Sequence, residues 1–195
     1  MIGIIDYGMG NTGSIRKKLS LYGISHVISD DQQKLKNSSK YILPGVGHFE
    51  KAVNELKLRR LWDFMNKEIL VKEKPILGIC LGMQLMAKRS EEGNSEGFGW
   101  IDAKVVHFNI KDPKTFKVPH IGWNNLLIQK QDPIFNDVEI NNEFYFVHSY
   151  HITCNNQADI LCKTKYEDYF VSGIKKNNIT GLQFHPEKSH KNGEK

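Results

Sequence analysis

Cysteine is scarce in this chain, and its placement argues against two common uses. The three residues, Cys80, Cys154 and Cys162, form no CxxC pair, and an odd number cannot close completely into disulfides. A reducing, cytoplasmic setting is therefore expected. Long apolar runs are also missing: none reaches the length of a bilayer span, and the opening MIGIID has neither the basic region nor the apolar run of a signal peptide. No membrane partner is expected. The net charge of +5 comes without a long basic run, because lysines and acids are interspersed. Nucleic acid is thus not an expected partner, and the excess suits solubility or attraction of an anionic substrate or an acidic partner surface. No repeat, low-complexity block or Pro/Ser-rich linker divides the chain, and residues 1–195 read as a single domain.

What is present is an ordinary core-forming composition, 39% apolar and 25% charged. In the first half, short apolar runs at Ile2 to Ile5, Tyr41 to Leu43 and Ile76 to Ile79 alternate with helix-period segments. That pattern predicts an α/β fold with a mostly parallel central sheet flanked by helices. One helix is predicted from about Leu61 to Ile69, with Leu61, Phe64, Met65 and Ile69 facing the core and Asp63, Asn66, Lys67 and Glu68 on the other side. The second half carries β-rich runs at Lys104 to Phe108, Phe144 to Val147, Ile160 to Thr164, Phe170 to Ile174 and Ile179 to Phe184, separated by polar turns such as Lys176-Asn177-Asn178. Additional antiparallel or mixed strands are expected there.

The segment Pro75-Ile76-Leu77-Gly78-Ile79-Cys80-Leu81-Gly82-Met83-Gln84-Leu85 runs a buried-type strand into Gly-x-Cys-x-Gly and then a helix-period stretch. It predicts a nucleophile elbow, in which flanking glycines let a crowded turn lift one side chain above the sheet. The thiol then sits where unsatisfied helix N–H groups stabilise negative charge. An isolated cysteine is more often an inert core residue, and that reading is kept for Cys154 and Cys162.

A cysteine nucleophile needs a base, and eight histidines compete for the role. His185 follows the apolar run Ile179 to Phe184 and precedes Pro186-Glu187, and proline biases the residue before it toward extended backbone. Positions two apart then share a side, so Glu187 can hold the imidazole while its other nitrogen faces the thiol. Read alone, His-Pro-Glu is a surface turn; beside the elbow it predicts a Cys80-His185-Glu187 triad. Pro44-Gly45-Val46-Gly47, directly after Tyr41-Ile42-Leu43, is a candidate oxyanion loop acting with the Leu81 amide, or else an ordinary turn. His148 is a candidate for lining the site or a strand-end core residue. The remaining histidines have no ligand spacing, so no metal is expected.

Together the elbow GICLGMQ, the PGVG loop and the terminus FHPEKS resemble the class I, or triad-type, glutamine amidotransferases of flavodoxin-like fold. The stretches IIDYGMGN, VPHIGWN and FYFVHSY are similar to the amidotransferase subunits of imidazole glycerol phosphate synthases, over essentially the whole chain. The resemblance implies a glutaminase without cofactor that forms a glutamyl thioester at Cys80 and releases ammonia. It further implies that Gln84, with His148, Ser149 and Tyr150, helps hold glutamine. By the same resemblance the partner is a cyclase (HisF-type) subunit in a heterodimer. That subunit would use the ammonia for histidine synthesis, and Asn11, Trp123, Asn124 and Lys188 would fall near the ammonia exit and its interface.

Two departures from the family pattern are visible. Thr12-Gly13 follow Asn11 where an apolar residue is usual, which bears on the partner-facing loop. The sequence stops at Lys195, where the family runs into a short terminal helix, so a truncated C-terminus is one expectation. Three alternatives stay open: an ammonia-supplying subunit for a sugar amidotransferase of surface polysaccharide, a non-catalytic binding module on the same fold, and a cysteine peptidase on this scaffold.

Overall fold

The structure, a computed structural model, describes residues 1–139 and 141–194; Lys195, the end of the terminal stretch read above, lies outside the described residues. The first half alternates strands and helices in the expected way: β1 (Ile2–Ile5), α1 (Thr12–Leu21), β2 (His26–Ser29), α2 (Gln32–Leu35), β3 (Lys40–Leu43), α3 (Phe49–Leu58), α4 (Leu61–Asn66), β4 (Ile76–Ile79) and α5 (Leu81–Gln84). Then follow β5 (Arg89–Ser90), β6 (Ser95–Glu96), β7 (Ala103–His107), β8 (His120–Asn125), β9 (Leu127–Ile128), β10 (Glu143–His148), β11 (Tyr150–Cys154), β12 (Ile160–Lys165), β13 (Tyr169–Lys176) and β14 (Ile179–Leu182).

Strands run β2-β1-β3-β4-β14 in parallel, and the sheet continues through antiparallel β13 into β11 and β7. The last strand in sequence therefore lies beside β4, with Ile179 opposite Ile76 and Leu182 opposite Ile79. This insertion sets the end of β14, and the histidine just beyond it, next to the elbow that follows β4. Strands β8 and β10 form a separate antiparallel ribbon, with His148 opposite His120. The Lys176-Asn177-Asn178 turn is a hairpin between β13 and β14, with Asn177 at φ 52°.

The largest core cluster joins Ile5, Leu43 and Met83 to Leu56 and Met65 from the covering helices, while a second gathers Phe144, Phe146, Phe170 and Phe184 under the ribbon. Leu61, Phe64, Met65 and Ile69 are buried as the periodicity predicts, but the segment is not one α-helix: α4 ends at Asn66 and Lys67–Val71 is a π-turn. Glu68, expected on the polar side, is buried. Seven residues after Leu61, it returns to the core side by the helical period itself. Its carboxylate is matched by Tyr41 Oη at 2.9 Å, Lys72 Nζ at 2.6 Å and Lys74 Nζ at 2.6 Å, as a buried charge requires.

Candidate active site

At the end of β4 the backbone turns sharply at Cys80, with φ 54° and ψ −112°. A residue with a side chain held there stores about 1–3 kcal/mol of strain, which surrounding structure must over-determine. It does so through close backbone packing: a Cβ on Gly82 would lie 1.8 Å from the Leu43 carbonyl oxygen, and one on Gly78 would lie 2.7 Å from that of Gly82. The Cys80 N–H donates to Leu182 O at 2.8 Å, fastening the elbow to β14. The helix beyond is shorter than the sequence suggests. Because α5 ends at Gln84, a long-helix dipole is not available, and only first-turn amides such as that of Leu81 can oppose charge at the site.

His185 lies just past β14 with extended backbone, and Pro186–Lys188 fold into a 3-10 turn. The expected pair is present, with His185 Nδ1 donating to Glu187 Oε1 at 2.8 Å. The turn, and not strand alternation, brings the two together. His185 N–H also donates to Tyr145 O at 2.9 Å, which ties the base to the ribbon. Both side chains are buried, and His185 Nε2 has no hydrogen-bond partner. Burial alone would lower the proton affinity of the imidazole; the adjacent Cys80 and Glu187 outweigh it and raise the pKa to about 9. Nε2 is thus the ring's unpaired side, in electrostatic contact with the thiol.

A cavity of about 260 Å³ opens over the thiol, lined by Cys80 and His185 together with Val46, Gly47, Leu81, Gln84, His148, Ser149 and Tyr150. Of the catalytic, oxyanion and glutamine-holding candidates, Glu187 and Gly45 are absent from its wall. Glu187 stands behind His185, and Gly45 lies under the elbow, where a Cβ would meet Gly82 N at 2.8 Å and Tyr7 Oη at 2.7 Å. Gly47 has φ 101°, which only glycine adopts without strain. The Val46 N–H is already engaged, donating to Met9 O at 3.0 Å. In this conformation Val46 is not an oxyanion donor.

His148 cannot serve as a second base. Its Nδ1 donates to Tyr150 O at 2.8 Å and its Nε2 is 3.0 Å from His120 Nδ1, so both ring nitrogens are occupied. Burial pushes its pKa down to about 3 and that of His120 to about 4. Glu92, Pro119 and Val147 also line the cavity; Pro119 and Val147 lie in stretches quoted above without a site role, and Glu92 in none of them. Glu92 sits in a short turn, and its Oε2 accepts the Phe49 N–H at 2.8 Å; nothing in its sequence neighbourhood distinguishes it from other surface acids.

The four residues implied at a partner interface separate into different settings. Asn11 caps α1, accepting the Ser14 N–H at 3.4 Å. Thr12 and Gly13 form the first helical turn, and a Cβ on Gly13 would meet nothing within 4 Å. Trp123 is 38% exposed, stacks on His190 at 5.1 Å and leans on Tyr145, over whose ring Lys188 places its ammonium. Asn124, its neighbour on β8, points to the opposite face and donates to Lys165 O at 2.9 Å. Among the described residues no helix is long and apolar enough to cross a membrane.

An elbow cysteine, a buried histidine held by a glutamate and a flanking PGVG loop thus meet at one end of an α/β sheet, the arrangement expected of a cysteine-nucleophile site. The profile of the glutamine amidotransferase class-I family matches residues 3–195, and the chain belongs to that family. It is 45% identical to imidazole glycerol phosphate synthase subunit HisH 2 of Methanococcus maripaludis, over 100% of this chain and 96% of that protein. It is 46% identical to imidazole glycerol phosphate synthase subunit HisH of Sulfurimonas denitrificans, over 99% of this chain and 93% of that one. A glutamine amidotransferase crystal structure from Thermotoga maritima shares the fold with a TM-score of 0.64 at 21% identity, covering 95% of this chain and 75% of its own.

Proposed function

We propose that this chain is the glutaminase subunit of an imidazole glycerol phosphate synthase, a single amidotransferase domain over residues 1–195. It passes ammonia to a cyclase subunit that forms imidazole glycerol phosphate and an aminoimidazole carboxamide ribonucleotide. The observation that carries this reading is the meeting of Cys80 and His185 at one cavity, with Glu187 behind the imidazole, in a chain nearly half identical to relatives of that name.

Glutamine enters with its carboxamide over Cys80 and its α-ammonium toward the Glu92 carboxylate. Cys80 Sγ attacks the carboxamide carbon, forming the S–C bond. His185, which holds a proton at neutral pH, gives it to the departing nitrogen as the C–N bond breaks. Ammonia leaves, and His185 then takes a proton from the water that cleaves the thioester to glutamate. The oxyanion is met by the Leu81 amide and by an amide of the PGVG loop, once its Val46 N–H is released from Met9 O. Trp123, Lys188 and Asn11 belong to the surface that meets the cyclase, with Asn124 supporting β8 from behind.

The test separates the two half-reactions. Cys80→Ala is expected to abolish glutamine-dependent synthesis while the complex still uses added ammonium at the wild-type rate. Glutamate release that survives in Cys80→Ala overturns the assignment, as does loss of ammonium-dependent synthesis in an intact complex.

A further inference from the structure

Gln183 lies between β14 and His185 and is completely buried. A buried primary amide has two N–H donors and a carbonyl acceptor that all call for partners. The neighbours decide which way it points. Tyr150 O can only accept, and it receives N–H groups from His148 Nδ1 at 2.8 Å and Gln84 Nε2 at 3.0 Å. The other Gln84 N–H goes to Gln183 Oε1 at 3.0 Å. Turning over the Gln84 amide would set oxygen against oxygen at both contacts, and turning over Gln183 would set N–H against N–H. Gln183 Nε2 is thereby aimed at the Cys80 sulfur, 3.7 Å away. The sulfur also lies 3.9 Å from the Val147 carbonyl oxygen, which can accept from the protonated thiol only.

We propose that Gln183 is a further catalytic residue of this site: its amide N–H donates to Cys80 Sγ and stabilises the negative charge that sulfur carries before attack and again on thioester cleavage. This rests on Cys80 being the nucleophile, as argued above. In the first step the S–C bond forms, the C–N bond breaks and His185 supplies the proton that makes the leaving group ammonia. In the second the water oxygen bonds to the same carbon, the C–S bond breaks and its electron pair returns to sulfur, facing the same N–H. Because Gln84 holds the amide in place, the donor needs no reorganisation when the charge appears. A hydrogen bond to a charged partner corresponds to roughly a ten- to hundredfold effect on rate.

The experiment uses the full chain carrying Gln183→Glu, which keeps an acceptor for Gln84 but sets an oxygen against the sulfur, and Gln183→Met, which removes the donor. Two rates are read: alkylation of Cys80 by iodoacetamide at pH 7, followed on the Cys80 peptide, and glutamate release with the cyclase subunit present. Gln183→Glu is expected to slow both by about ten- to a hundredfold, with KM for glutamine within about threefold of wild type, and Gln183→Met to fall between. A melting temperature for each variant identifies the folded ones, and Gln183→Met decides the matter if Gln183→Glu does not fold. Wild-type alkylation and kcat in a folded variant, or a loss confined to KM, overturns the role of Gln183. Glutamate release that persists in Cys80→Ala sinks the nucleophile assignment instead, so the two failures are distinguishable.

Discussion

His185 is held from one side and open on the other, and under the proposed mechanism that asymmetry sets the division of labour in the triad. Nδ1 is committed to Glu187 while Nε2 has no partner but the nearby thiol, so one nitrogen orients the ring and the other moves protons. His185→Ala is therefore expected to lower glutaminase kcat nearly as far as Cys80→Ala, by at least about a hundredfold. Glu187→Gln should leave measurably more activity, since an amide oxygen can still accept the Nδ1–H. Steady-state glutamate release at saturating glutamine checks the ranking, and a wild-type rate for His185→Ala would remove it from the mechanism. These three candidates stood out in the sequence because their neighbours are unusual: glycines flank Cys80, and proline separates His185 from Glu187. Gln183 and Glu92 did not. An amide inside an apolar run and an acid in a loop acquire a role only from what folds against them.

The ribbon of β8 and β10 is the element that joins the cavity wall to the second core, and two buried histidines face each other across it. His148 Nδ1 must donate to Tyr150 O, so its Nε2 is a bare acceptor and His120 Nδ1 carries the proton between them. With folded pKa values near 3 and 4, both stay neutral where the unfolded chain, titrating near the ordinary value of about 6.5, takes up protons. The unfolded state then binds more protons between about pH 6.5 and pH 4, and stability falls as the pH is lowered through that window. His120→Phe is expected to flatten this acid slope in urea unfolding measured at intervals from pH 7 to 4. An unchanged slope would mean that the pair is not neutral in the folded protein. The apolar run Phe144 to Val147 marked β10, but β8 was not among the strands read from the sequence, and the His120–His148 register depends on a pairing between segments more than twenty residues apart, which no local pattern encodes.

At the scale of the molecule, an unregulated glutaminase would release ammonia without an acceptor. The Val46 amide is tied to Met9 in the β1–α1 connection, the same connection that ends in Asn11. A partner docking there can change the donor set of the oxyanion site without touching the triad. Purified alone, the chain is expected to hydrolyse glutamine slowly, and a cyclase subunit with its nucleotide ligand should raise kcat by more than about tenfold. Restoring one oxyanion donor accounts for such a gain, since losing one costs about a hundred- to a thousandfold. Glutamate release measured for the chain alone, with the partner and with partner plus ligand checks this, and full activity of the isolated chain would point to an autonomous hydrolase.

The sequence by itself determined the α/β class and the elbow and singled out the candidate triad, because each rests on local rules: apolar runs of strand length, glycines around a crowded turn, a proline that restricts the residue before it. Tertiary structure alone decided that β14 inserts beside β4, which brings residues 80 and 185 within reach of each other across a hundred positions of chain. It also decided the short span of α5, the occupied Val46 amide and the aim of Gln183. Each of these follows from which groups meet when distant segments pack, and buried polar atoms take whatever partners that packing supplies.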